Sequence, residues 1–198
     1  MKLRMLELSA VIALFVCIIS CVSFENDCED IRENVLRLHV IADSDSEEAQ
    51  SVKLKVRDAL LSEGRELFEG NSDIEEAETS ISENLELMKA AAERTLRENG
   101  YTYSAEIELT ECYFPTRQYG GVTLPAGNYN ALRVVLGEGE GHNWWCVMFP
   151  PMCLPAAQKE QAKLSDVLDE RGLDIVTGGK RYEVRLWIVE KWYELWER

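Results

Sequence analysis

The chain has 198 residues, 46% of them hydrophobic, which is enough for one domain with a buried core. Acidic residues outnumber basic ones by 36 to 21, so the formal net charge at pH 7 is −15. This charge opposes binding to nucleic acid, whose phosphates would be repelled, and it opposes electrostatic docking on anionic lipid.

The N-terminus has the pattern of an export signal. Lys2 and Arg4 precede an apolar run from Leu8 to Val22, LSAVIALFVCIISCV, after which the chain turns acidic. The run is shorter than the roughly 20 residues of a comfortable membrane span, which favours a removed or lipidated signal over a permanent anchor. Small residues in Cys21–Ser23 predict cleavage before Phe24, and the alternative is a lipoprotein box with lipid on Cys21.

These boundaries predict a signal peptide at residues 1–23 and a single domain at residues 24–198. Removing the signal takes away Lys2, Arg4 and Glu7, a net charge of +1, so the exported domain goes from −15 to −16.

Four cysteines remain in the exported part, namely Cys28, Cys112, Cys146 and Cys153. Export permits disulfides, and four cysteines allow three pairings. Six intervening residues and a Pro-Pro turn would let Cys146 and Cys153 meet, whereas Cys112 with either one is the competing pairing. No C-x-x-C motif accompanies the two histidines, so we expect neither a metal site nor another cofactor.

The first part of the domain predicts a strand followed by two helices. An apolar run from Leu38 to Ala42 is typical of a buried strand. The following DSDSEEAQ offers Ser44 with Glu47, or Asp45 with Glu48, as a capping box for an amphipathic helix. A second, longer helix is predicted from Ile74 to Leu96, with Asn99-Gly100 as its C-terminal stop.

Strands dominate the next part. Alternation from Tyr101 to Leu109 predicts a half-buried strand, and CYFPTRQYGGVTLPAGNY a turn-rich loop. A strand over Ala131–Leu136, a hairpin turn in GEGEGHN and a strand in WWCVMF follow. The tail predicts a helix over Ala156–Arg171, a turn at Gly178-Gly179, and a last segment that begins as a strand and finishes as a helix.

This order of elements lacks regular βαβ alternation. It predicts an α+β fold, with a mainly antiparallel sheet and amphipathic helices packed on one face.

The densest stretch of the chain is GHNWWCVMFPPMC, which runs from Gly141 to Cys153. Strand alternation places Trp144, Cys146 and Met148 on one side and Trp145, Val147 and Phe149 on the other. Both sides are apolar, so either the strand is central and covered twice, or one tryptophan belongs to an exposed patch that a partner can bind.

The motifs give little support to catalysis or metal binding. GEGEG lies between two strands and carries two glutamates, which is unsuited to phosphate. Asp43-x-Asp45-x-Glu47 begins like a calcium loop, but a glycine at the sixth position and an acid at the twelfth are missing. Neither His39 nor His142 belongs to a nucleophile motif.

Two blocks resemble a known family. RLHVIADSDSEEAQSVKLKVRDALL and YFPTRQYGGVTLPAGNYNALRVVLGEGEGHNWWCVMFPPMC, together with the export signal, resemble stage II sporulation protein R of endospore-forming Firmicutes. The family-like core is residues 31–155, and residues 156–198 form a less diagnostic helical, aromatic tail. Asp43 stands where asparagine is expected in many relatives.

The resemblance implies signalling rather than catalysis. Members are made in the forespore and exported into the space facing the mother cell, where they trigger a membrane-embedded aspartic protease. That protease processes the precursor of the mother-cell sigma factor E. The resemblance therefore implies a protein partner beside a membrane and no small-molecule substrate.

The family assigns no catalytic residues, so the candidate site is a prediction from physical chemistry. Exposed aromatic and arginine side chains commonly anchor binding, and local turn chemistry is the competing explanation. The candidate partner-binding residues are His39, Asp43, Ser44, Asp45, Arg117, Tyr119, Gly120, Gly121, Trp144 and Trp145.

The alternative function is an exported cell-wall hydrolase, in which His39 works with Asp43 or Asp45 as an acid-base pair. The aromatic tail leaves a further choice open, since Trp187, Trp192 and Trp196 fit either a core or an anchor at a membrane interface.

Overall fold

The computed structural model describes residues 2–68, 73–119, 121–150 and 167–177. The helices are α1 (Lys2–Glu33), α2 (Glu47–Leu67), α3 (Ile74–Glu83), α4 (Leu85–Glu98) and α5 (Glu170–Thr177). The strands are β1 (Leu36–Ile41), β2 (Ala105–Phe114), β3 (Arg117–Tyr119), β4 (Val122–Leu124), β5 (Gly127–Leu136) and β6 (Asn143–Phe149).

Four of the strands form one mixed sheet in the order β2-β5-β1-β6, while β3 and β4 form a separate ribbon. Strand β1 runs parallel to β5, with Arg37 opposite Ala131, and antiparallel to β6, with His39 opposite Trp145. Strands β2 and β5 are antiparallel. Two of the three pairings in the four-stranded sheet are therefore antiparallel, and the predicted α+β class is confirmed.

The predicted hairpin in GEGEGHN is wrong. The segment does reverse the chain, but β1 lies between β5 and β6, so the connection crosses the end of β1. Local turn chemistry in the sequence specifies a reversal, whereas the strand that fills the gap comes from almost a hundred residues earlier.

One face of the sheet carries the larger core. Leu36, Leu38 and Val40 of β1 point to this face, where α2 and α3 contact β1 while α4 packs on β2 and α2. Helix α2 buries Val52, Val56 and five further residues on one stripe, as the periodicity predicts. Its N-cap is Ser46, whose Oγ accepts a hydrogen bond from the Ala49 amide at 3.1 Å, and not Ser44 or Asp45.

The predicted long helix is two helices, because the chain breaks at Asn84. This residue has φ −116° and ψ 22°, which end α3, and its side chain donates a hydrogen bond to the Ser80 carbonyl at 2.8 Å. Ile81 and Met88, on either side of the break, are both fully buried in the same core. The hydrophobic period therefore survives a break that the backbone makes.

The second face of the sheet is covered in part by the end of α1, by the β3–β4 ribbon and by α5. Their cluster contains Ile31, Phe114, Leu124 and Tyr129, all nearly without solvent exposure. The predicted strand at Tyr101 begins later, at Ala105, and the predicted loop after it contains the end of β2, the ribbon and the start of β5.

Strand β6 follows the predicted alternation until its last residue. Trp144, Cys146 and Met148 contribute to the larger core and Trp145 and Val147 to the second face. Phe149 joins the larger core instead of following Val147, since the pairing with β1 shifts register between Leu36 and Arg37.

Most of the tail lies outside the described residues, including the predicted turn at Gly178-Gly179 and the three tail tryptophans. The described part places a helix at Glu170–Thr177, beyond the predicted end at Arg171.

Candidate functional site

A buried arginine organises the second face where β1, β6 and the ribbon meet. Arg37 has no solvent exposure. Its Nε donates to the Cys146 carbonyl at 2.8 Å, and an Nη donates to the Tyr119 hydroxyl at 2.7 Å. The guanidinium lies 4.1 Å from the ring centre of Phe114 and 4.8 Å from that of Tyr129. We call these five residues the Arg37 cluster.

The charge in this cluster is balanced by rings and not by an acid. Among the described residues, no carboxylate forms an ion pair with Arg37, and its second Nη has no hydrogen-bond partner. Burial lowers the pKa of the guanidinium and raises the pKa of the Tyr119 and Tyr129 hydroxyls. Arginine nevertheless stays protonated in proteins, so a buried cation ties the ribbon to the sheet.

His39 lies next to this cluster as a neutral, stacked side chain. Its ring packs on Trp145 with centroids 3.8 Å apart, and Nε2 makes a 2.9 Å hydrogen bond with the Asn143 side-chain oxygen. Burial lowers the pKa of His39 to about 4, so the imidazole is uncharged at neutral pH. Neither Asp43 nor Asp45 makes a hydrogen bond or ion pair with it, and the acid-base pair of the hydrolase hypothesis is therefore not assembled.

Asp43 and Asp45 instead join the β1–α2 connection to the GEGEGHN segment. Oδ1 of Asp43 accepts from the Glu138 amide at 3.0 Å, and Oδ1 of Asp45 accepts from the His142 amide at 2.7 Å and contacts the His142 ring. The hydrogen bond from the His142 side chain lowers the pKa of Asp45. The turn chemistry that competes with partner binding is thus present at both aspartates.

Close backbone packing completes this junction. A Cβ at Gly141 would overlap the carbonyl group of Ser44, so only glycine fits there. Lys53 of α2 is 3% exposed, and its ammonium donates to the His142 carbonyl at 2.7 Å. We call the contacts among Asp43, Ser44, Asp45, Lys53 and the residues from Gly137 to His142 the loop junction.

The structure divides the candidate residues into separate groups. His39 and Trp145 are stacked, and Tyr119 reaches them by donating to the Trp145 carbonyl at 3.2 Å. Arg117 and Gly121 are exposed on the ribbon, and Gly120 lies outside the described residues. Trp144 is on the opposite face of the sheet, 4.5 Å below the Arg57 guanidinium.

Of the predicted Cys146–Cys153 disulfide, only Cys146 is among the described residues. Cys146 is disulfide-bonded, and Cys153 lies outside the described residues, so the Cys146–Cys153 pairing stays a prediction. Cys28 is a buried thiol on α1 whose pKa burial raises to about 11. Across the described ranges, no group of three His, Cys, Asp or Glu side chains is placed to hold a metal ion.

Sequence reasoning missed the residues that organise this region. Arg37 lies between apolar residues in the sequence. Strand alternation places it on a face of the sheet, and a charged residue at such a position is a signal that could have identified it. Asn143 and Lys53 gave no such indication, because their hydrogen bonds reach partners 104 and 89 residues away.

The fold and the site define a small α+β domain carried by an apolar N-terminal helix. The chain belongs to the family described as stage II sporulation protein R, whose model matches residues 32–159. It is similar to Stage II sporulation protein R of Bacillus subtilis (strain 168), with 35% identity over 160 residues, or 77% of this chain and 71% of that protein. No solved structure matches it. Family membership supports a role in sporulation, and the family's description names no catalytic activity.

Proposed function

We propose that this protein is an exported signal between the two cells of the sporangium. It is made in the forespore, acts in the space facing the mother cell, and activates a membrane-embedded aspartic protease that processes the sigma factor E precursor. The observation that carries the proposal is the match to the stage II sporulation protein R family over residues 32–159, on a chain that begins with an apolar helix compatible with an export signal.

The geometry supports a binding role at the ribbon side of the second face. Arg117 and Gln118 are exposed on β3, while the hydroxyl of the neighbouring Tyr119 accepts a hydrogen bond from the buried Arg37. Because β3 is already held against the sheet, binding through Arg117 orders no additional backbone, and the entropy cost is that of the arginine side chain alone. A ligand of this kind activates a protease only if it binds the active form better than the inactive one.

Reconstitution tests the proposal directly. The full chain is expressed for export with the cognate membrane protease and the sigma-factor precursor in a non-sporulating host, and precursor cleavage is followed by immunoblot. We expect cleavage only when both proteins are present. If both proteins are folded and correctly located and no cleavage occurs, the proposal is wrong, and digestion of purified cell wall tests the hydrolase alternative.

The ribbon can be tested in the same assay. Arg117→Ala should reduce precursor cleavage about tenfold or more, the loss typical of a residue that anchors an interface. Arg65→Ala is the matched control, since Arg65 is exposed on α2 in the opposite layer and should leave cleavage unchanged. If alanine at each of His39, Asp43, Arg117 and Trp145 leaves a folded protein fully active, the proposed surface is wrong.

A further inference from the structure

Helix α1 continues without a break from an exposed apolar part into a part that packs in the folded domain. It runs for 32 residues, Lys2–Glu33, with no glycine or proline. Its side chains from Val11 to Val22 are exposed on all sides, for example Val11 at 62% and Phe15 at 63%. By length and composition alone, the part that starts at Val11 qualifies as a helix that crosses a membrane. A helix that is apolar all round and packs against nothing in the domain is suited to lipid.

The last turns of the same helix belong to the folded domain. Cys28 and Ile31 are both buried, and Ile31 belongs to the cluster on the second face. Arg32 forms ion pairs with Glu25 at 2.7 Å and Glu29 at 2.9 Å, and it donates to the Ala126 carbonyl at 3.3 Å. The helix therefore enters the core within about two turns of its apolar part.

The cleavage bond predicted from the sequence lies inside this helix. Ser23 is helical, and Phe24 on the other side of the bond packs against the second-face cluster. A protease cuts a bond held in an extended conformation, so cleavage here requires α1 to unwind locally, and α1 can form before the rest of the domain because its hydrogen bonds join residues four apart. No helix-breaking residue assists that unwinding between Leu8 and Ile31.

From this continuity we infer that α1 stays attached as a membrane anchor that inserts in a lipid bilayer. The uncharged stretch from Leu8 to Phe24 has 17 residues. At 1.5 Å per residue it spans about 25 Å, slightly less than the roughly 30 Å hydrocarbon layer, and local thinning accommodates the difference. Lys2 and Arg4 hold the N-terminus on the cytoplasmic side, which directs the acidic domain outward.

The biological role of this anchor rests on the proposed function. A domain that follows directly after a membrane helix stays at the lipid surface, where a membrane-embedded partner also lies. It cannot diffuse away, although its net charge opposes binding to anionic headgroups.

The test is the fate of the N-terminus in cells without the protease, which makes its result independent of signalling. A C-terminally tagged full chain is expressed in a non-sporulating Gram-positive host, extracted with alkaline carbonate, and measured by intact mass and N-terminal sequencing. We expect the uncut chain of 22.6 kDa plus tag in the membrane pellet. An N-terminus at Phe24 with release into the medium, or a lipidated Cys21 at the N-terminus, would each overturn the inference.

A pair of variants tests whether helical continuity is the cause. Ser20→Pro removes a helical amide and clashes with the Val16 carbonyl, which Ser20 now contacts through its hydroxyl at 2.9 Å. Ser20→Ala is the control, since it loses the hydroxyl but remains helical. We expect Ser20→Pro to be cleaved near residue 23 in more than half of the molecules and Ser20→Ala to stay intact. Equal processing of the two variants would show that helix continuity does not protect the bond.

Discussion

Replacing Arg37 by lysine should destabilise the domain more than replacing it by methionine. Lysine keeps a buried positive charge but cannot serve both the Cys146 carbonyl and the Tyr119 hydroxyl with the same geometry. Losing one charge-assisted hydrogen bond costs about 1.5–3 kcal/mol, and the group left unpaired adds about 1 kcal/mol. We therefore expect R37K to lose about 3 kcal/mol of unfolding free energy.

Methionine removes both hydrogen bonds and the charge together. The desolvation penalty of the guanidinium, several kcal/mol in a buried site, is then relieved, and the thioether packs on the rings of Phe114 and Tyr129. The Tyr119 hydroxyl still has the Trp145 carbonyl as acceptor. The remaining cost is the hydrogen bond from Arg37 that the Cys146 carbonyl loses, so R37M should lose about 1–2 kcal/mol.

Urea unfolding of the detergent-solubilised full chain, followed by tryptophan fluorescence, measures both values at pH 7. The test is which of the two variants has the lower unfolding free energy, and the exact value for either variant does not matter. If R37K proves as stable as R37M or more so, desolvation does not dominate at this position and our reading of the Arg37 cluster is refuted.

Three further predictions concern the neighbouring side chains. Because burial keeps His39 neutral, its contribution to stability should be complete above pH 6.5, and about 3 kcal/mol of unfolding free energy should be lost as the pH falls toward 4. In urea titrations, His39→Gln should remove this pH dependence of the unfolding free energy. An unchanged pH dependence in the variant would contradict the prediction. Gly141→Ala should cost about 2 kcal/mol because its Cβ overlaps the backbone of Ser44. Gly172→Ala should cost less, since its nearest neighbour, Oδ1 of Asp169 at 3.2 Å, belongs to a side chain that can shift. Equal unfolding midpoints for the two variants would count against the clash at Gly141. Asp45→Ala should speed hydrogen exchange in the segment from Gly137 to His142 about tenfold, and Asp45→Asn, which keeps an acceptor for the His142 amide, should speed it less.

The sequence correctly predicted those features of the fold that depend on residues close together in the chain. The period of Val52, Val56 and Leu60 reflects one buried stripe, and that stripe exists in α2. Alternation in WWCVMF placed Trp144 and Trp145 on opposite faces, and they lie there.

The failures have non-local causes or depend on backbone detail. By residue type, Ser44, Asp45 and Ser46 can all serve as N-caps, and Ser46 takes this role while Asp45 accepts a hydrogen bond from the distant His142 amide. The hairpin prediction failed because nothing near GEGEGHN shows that β1 separates β5 from β6. The same limit applies to the candidate site, where partners of His39 and Arg37 lie about a hundred residues away along the chain.

The position of β1 in the sheet has a consequence for the order of folding. Arg37 pairs with Ala131, 94 residues later, and β6 on its other side ends at Phe149. Closing so long a loop is entropically costly and slows folding, and the central strand has no partner until β5 has emerged and no second partner until β6 has followed. A domain exported behind its N-terminal helix would therefore remain unfolded until about three quarters of the chain had crossed. This late assembly keeps the domain competent for translocation and confines its folding to the compartment in which we propose that it acts.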